Sequence, residues 1–178
     1  SLIMERLPLH PGDKVVDVGS GPGFFSFKLA QRVGPEGRVY ALDTKDSHVE
    51  YLNGLVKKWG LTNIQSSVSS AEGFEIAEPG SADMVFMCSL YHIIYAVSSQ
   101  KERDGMIASI LKALKPGGRF VVEDNGPVER GKLPYHGPYI RQELIRAQLE
   151  AYGFVLESAE QIIPQRYLMV FSRGVAAP

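Results

Sequence analysis

Apolar residues follow two rhythms along this chain. Short runs at Lys14–Val18, Arg38–Leu42, Asn63–Val68, Ala82–Cys88 and Arg119–Glu123 are too brief for helices. The first is valine-rich and ends at glycines, as a buried strand entering a turn does. Between them, apolar positions recur at helical spacing. Phe25, Leu29 and Val33 form one stripe, stopped by Gly34-Pro35. Val49, Leu52, Val56 and Trp59 form a second, ended by Gly60, and Ile107, Ile110, Leu111 and Leu114 a third. A further helix is predicted near Ile140–Tyr152, closed by Gly153. Strands alternating with helices predict a mostly parallel sheet flanked by helices. Two last runs, Phe154–Ile162 and Arg166–Phe171, are separated around Pro164-Gln165, too short a link for a crossover helix. They are predicted to be antiparallel neighbours.

Composition narrows the picture. A chain of 178 residues without repeats or long linkers suits one α/β domain over residues 1–178. The formal charge of -1 gives no global pull toward nucleic acid or anionic membrane. A single cysteine, Cys88, forms no internal disulfide, which points to a reducing, cytoplasmic setting. No apolar run approaches the roughly 20 residues that span a bilayer. No signal-peptide pattern opens the chain, and its first residue is Ser1, so an upstream segment is an open expectation.

The chemistry concentrates in a glycine loop, Asp17-Val18-Gly19-Ser20-Gly21-Pro22-Gly23-Phe24, between a strand end and a helix start. Glycines there let backbone approach a ligand closely, at the place where open α/β sheets bind nucleoside cofactors. No Gly-Lys-Ser/Thr follows, which argues against a phosphate-binding P-loop. Phe24 stands where a dinucleotide loop would carry its last glycine. A ligand-free tight turn is the competing interpretation. The second strand ends in Asp43, a carboxylate able to accept both hydroxyls of a ribose, or to cap the next helix. That feature suits NAD and S-adenosylmethionine equally.

A third feature, Leu114-Lys115-Pro116-Gly117-Gly118 before the fifth strand, completes a joint pattern with Val15–Gly23, Leu42-Asp43, Asp83-Met84-Val85-Phe86 and the closing hairpin. The pattern resembles the class I S-adenosylmethionine-dependent methyltransferases, over nearly the whole chain from Leu9 to Arg173. It looks closest to their small-molecule branch, which includes the ubiquinone/menaquinone-type enzymes. The resemblance implies a Rossmann-like three-layer sandwich whose seven-stranded sheet has the order 3-2-1-4-5-7-6. It implies S-adenosylmethionine as methyl donor and S-adenosylhomocysteine as product. Backbone around Asp17, Gly19, Ser20, Gly21 and Gly23 would hold the methionine part. Asp43 would hold the ribose, and Thr44 would flank the adenine. The family often places an acid after the third strand to meet the adenine amino group. Here Ser69-Ser70-Ala71 occupies that stretch, so a hydroxyl or backbone group must substitute. Cys88, Ser89 and Leu90 would lie beside the sulfonium.

Subclasses separate on the same residues. The Asn/Asp-Pro-Pro-Tyr motif of many amino-group methyltransferases is replaced by Cys88-Ser89-Leu90-Tyr91. Asp124-Asn125 matches half of the magnesium site of catechol-type enzymes, but Cys88 stands where the other Asp belongs, so no metal is expected. The expected acceptor is a small molecule, and the expected assembly a monomer or homodimer. His92, Asp124 and His136 are the candidate catalytic residues. His92 is the candidate base, with packing beside Tyr91 as its competing role. Asp124 is a candidate to orient His92 or His136, or to cap a turn. Tyr135 and Tyr139 are candidates to line the acceptor pocket, and His10 and His48 are expected at the surface. Little sequence precedes the first strand, so a cap over the acceptor site is expected to be short or absent. The competing functions are an NAD-dependent oxidoreductase and a non-catalytic S-adenosylmethionine-binding domain.

Overall fold

The computed structural model describes residues 2–127 and 137–174. Its centre is a seven-stranded sheet in the order β3-β2-β1-β4-β5-β7-β6. The parallel strands are β1 (Lys14–Val18), β2 (Arg38–Asp43), β3 (Ile64–Val68), β4 (Ala82–Cys88) and β5 (Leu114–Asn125). The last two, β6 (Phe154–Ile163) and β7 (Arg166–Arg173), form the expected antiparallel hairpin, with β7 antiparallel to β5.

Strand residues alternate between two apolar layers, so the central sheet is buried on both faces. Val15, Val39, Met84, Phe86 and Val121 pack with Leu29 and Val33 of α2 (Phe24–Val33) and Leu52 of α3 (Asp46–Trp59). Val16, Leu42, Val85, Met87 and Phe120 pack on the other side. Their partners there lie in α4 (Tyr91–Ala96), α5 (Gln100–Ala113) and α6 (Gln142–Ala151). Burying side chains of this size stabilises by roughly 1.5–3 kcal/mol each. A short α1 (Leu2–Arg6) adds Met4 to the first layer. Helix α5 starts on a capping box: Ser99 Oγ accepts from the Glu102 N–H, and the Glu102 carboxylate accepts from the Ser99 N–H.

Several boundaries differ from the sequence expectation. Leu114 belongs to β5 rather than to the third helical stripe, and β5 runs on through Asp124 and Asn125 because β7 pairs with both. Trp59 is exposed and packs at a tilt on the Phe27 ring, centroids 5.0 Å apart, instead of entering the core. Neither α1 nor α4 was anticipated, since both are too short for a periodic stripe. Among the described residues, no helix is long and apolar enough to cross a membrane.

Candidate active site

Strand order reverses between β1 and β4, and the carboxyl ends of β1, β2 and β4 open there into a cavity of about 440 Å³. That is the switch point where open α/β sheets bind ligands. The chain turns sharply off β1 because the Leu42 carbonyl accepts from both the Gly19 and Ser20 amides, at 2.8 and 2.9 Å. Gly19 takes φ +75°, which favours glycine, and a Cβ there would push aside the end of the Leu90 side chain, 2.8 Å away.

Asp43 lines the cavity beside the glycine loop and is 8% exposed. Its Oδ2 accepts from the Gly21 N–H at 2.8 Å and its Oδ1 from the Lys45 N–H at 2.9 Å. Each carboxylate oxygen therefore has one accepted bond and a second lone pair. Asp43 thus fixes the glycine loop while remaining able to accept from a ligand. The N-cap position of α3 is Lys45, with no side-chain cap. His48, expected at the surface, is partly exposed. It lines the cavity with its Nδ1 at 3.3 Å from Asp43 Oδ1. Its place on the first turn of α3, five residues beyond Asp43, was the available signal.

Nine residues from the cofactor expectation line this cavity: Gly19, Gly21, Asp43, Thr44, Ser69, Ser70, Ala71, Cys88 and Ser89. Leu90, Ile93, Ile94 and Met106 complete an apolar end opposite the polar one. Three others lie outside the wall. The Asp17 side chain turns under the loop, where it accepts from Ser26 Oγ at 2.6 Å, and burial pushes its carboxyl up to about 6. Ser20 Oγ is buried without a hydrogen-bond partner among the described residues. Gly23 is the N-cap of α2, packed where a Cβ would strike Leu52 at 2.6 Å.

The catalytic candidates also separate. Asp124 is fully buried, and its carboxylate meets His92 Nδ1 at 3.0 and 3.2 Å. The same carboxylate accepts from the His92 N–H at 3.0 Å, capping α4 as well. In the tautomer with the proton on Nδ1, that nitrogen donates to the carboxylate and Nε2 carries the free lone pair. His92 is not in the cavity wall, although its neighbour Ile93 is. His136 and Tyr135 lie outside the described residues, and Tyr139 is exposed.

A second buried cluster was missed by the sequence reading. Glu123, fully buried on β5, accepts from Arg166 Nη1 at 2.8 and 3.1 Å and from Cys88 Sγ at 2.9 Å. Burial and the adjacent Glu123 push the Cys88 thiol well above its ordinary range. No group of three or more His, Cys, Asp or Glu side chains suited to a metal ion occurs among the described residues.

Known proteins resemble this chain over most of its length. A family model described as a methyltransferase domain matches residues 9–170. The chain is 32% identical over 168 residues to a ubiquinone/menaquinone biosynthesis C-methyltransferase from Teredinibacter turnerae, covering 87% of this chain and 63% of that one. A Francisella tularensis protein of the same description is 28% identical over 181 residues, covering 93% and 68%. The chain thus spans about two thirds of the length of these relatives. A crystal structure of an S-adenosylmethionine-dependent methyltransferase from Aquifex aeolicus shares the fold, with TM-score 0.79 and 24% identity over 95% of this chain and 86% of that one. A [4+2]-cyclase shares it too, with TM-score 0.77 and 18% identity over 98% and 80%.

Proposed function

The chain belongs to the class I S-adenosylmethionine-dependent methyltransferases, and from that premise we propose that it methylates a small-molecule acceptor, releasing S-adenosylhomocysteine. The carrying observation is the cavity at the switch point, lined by an Asp43 carboxylate that is held in place by the Gly21 and Lys45 amides. The bound cofactor supplies a methyl group on a sulfonium, already a good leaving group. The protein's part is alignment, worth several orders of magnitude in rate.

In this reading Asp43 accepts the two ribose hydroxyls while its loop contacts stay intact. Thr44 flanks the adenine, and the Ser69-Ser70-Ala71 segment supplies hydroxyl and backbone groups along its edge. The loop around Gly19 and Gly21, with Cys88, Ser89 and Leu90, receives the methionine end. Ser20 and Gly23 shape that loop from behind, and Asp17 contributes charge from beneath it. Where the acceptor carries an acidic proton, His92 Nε2 removes it and Asp124 holds the imidazole. The C-methyltransferase relatives make activated carbon acids the first acceptors to test.

Calorimetric titration with S-adenosylhomocysteine tests the assignment. The wild type binds it, and Asp43→Ala weakens binding by 10²-fold or about that, from two lost charge-assisted hydrogen bonds. Absence of wild-type binding, or an unchanged Asp43→Ala, overturns the assignment.

A further inference from the structure

The closing hairpin reaches the proposed cofactor site through a single side chain. Arg166 is the first residue of β7, just past the hairpin turn. Its Nη1 donates to both Glu123 oxygens and, at 3.1 Å, to Ser89 Oγ. Ser89 is at the end of β4, across the whole width of β5 from the hairpin, and lines the cavity.

Ser89 is also the one non-glycine residue with positive φ, at 51°, among the described residues. That left-handed backbone costs about 1 kcal/mol or more and persists only where its surroundings impose it. Two contacts do so. The Ser89 N–H donates to the Glu123 carbonyl at 2.8 Å, and the Ser89 hydroxyl is held by Arg166. The turn decides where Leu90 goes, and Leu90 closes over Gly19. The conformation of Ser89 therefore shapes the wall between the glycine loop and β4.

We propose that Arg166 is a positioning residue that, through Glu123 and Ser89, sets the methionine end of the cofactor cavity. The proposal rests on the cofactor reading above. It assigns the hairpin a task beyond extending the sheet: it delivers a cation that locks a strained turn of β4. Glu123 neutralises that cation, so the lock adds no net positive charge beside a sulfonium. The ribose end is built separately, on Asp43 and α3, and does not depend on Arg166.

Two ligands distinguish the ends. S-adenosylhomocysteine occupies both, whereas 5′-methylthioadenosine lacks the amino-acid part. R166M alone strands the Glu123 carboxylate, so the paired variant E123Q/R166M carries the test, with S89A as a milder second variant. In both, S-adenosylhomocysteine binding weakens about tenfold, about one hydrogen bond's worth, while 5′-methylthioadenosine affinity holds within about twofold. R166K restores part of the loss relative to R166M. Equal losses for the two ligands would mean general loosening and overturn the proposal, as would unchanged affinities in folded variants. A wild type that binds neither ligand overturns the cofactor assignment itself, and the clamp with it.

Discussion

Replacing Asp17 with asparagine should stabilise the protein at neutral pH while weakening its cofactor site. Asp17 is 2% exposed, and burial raises its carboxyl from the ordinary 3.8 to about 6, with Asp43 adding repulsion and the Ser26 hydroxyl partly offsetting both. Between those values the native state holds more proton than the unfolded chain, so stability falls as pH rises. The penalty is absent below about 3.8 and complete above about 6. A gap of about 2 pH units, at about 1.4 kcal/mol each, makes it about 3 kcal/mol. Asparagine keeps an acceptor for Ser26, weaker by about 1 kcal/mol than the carboxylate. D17N should therefore gain about 2 kcal/mol at pH 8 and nothing at pH 4. Guanidinium unfolding of both proteins across that range measures the difference, which must grow between pH 4 and 7. A D17N protein less stable than wild type at pH 8, or an offset independent of pH, refutes the reasoning. A buried charge kept at such a cost implies a cationic ligand. S-adenosylhomocysteine affinity in the wild type should accordingly drop as pH falls through about 6, and D17N should lose that dependence.

Two further variants probe other parts of the site. H92Q removes the proposed base while leaving the cavity wall intact. Methyl transfer to an acceptor that must lose a proton should fall 10²- to 10⁴-fold, or about that, with S-adenosylhomocysteine affinity unchanged. Parallel loss of affinity in titrations would instead assign His92 a packing role. G19A forces a side chain into φ +75° with its Cβ 2.8 Å from Leu90. Its melting temperature should fall by several degrees, for a loss of about 1–2 kcal/mol, and cofactor binding should weaken. A G19A protein that binds like wild type would show that the loop adjusts freely.

The parts of this molecule that the sequence made legible are those encoded locally. Val15, Val16 and Val18 announce a buried strand, and Gly34, Gly60 and Gly153 announce helix ends, each within a few residues. Asp43 could be singled out because the distance from the glycine loop to the end of β2 is set by one helix between two strands. The His92–Asp124 contact was open between two partners, since 32 residues separate its members and β4 must lie beside β5 before they meet. The Arg166 cluster was invisible for the same reason: Ser89 and Arg166 are 77 residues apart and join only once β7 inserts between β5 and β6. Single-turn helices such as α4 leave no periodic signature, and α4 carries both Tyr91 and His92. His48 keeps a partly exposed side chain, and its place in the cavity wall beside Asp43 emerges only when α3 packs against the end of β2.

Asp17, Asp43, Glu123 and Asp124 all lie in the carboxyl-terminal halves of β1, β2 and β5, each under 10% exposed. Concentrating carboxylates in a low-dielectric region is unfavourable unless each has a partner. Three are visibly compensated: Asp43 by two backbone amides, Glu123 by Arg166, and Asp124 by His92 and its amide. Asp17 has one hydroxyl, and it is the carboxyl displaced upward to about 6. The acid the fold compensates least therefore lies directly beneath the loop proposed to receive the methionine end, where an ammonium and a sulfonium would arrive. Stability sacrificed at Asp17 in the ligand-free protein becomes binding free energy once a cation occupies the loop, so the same residue should limit one and support the other.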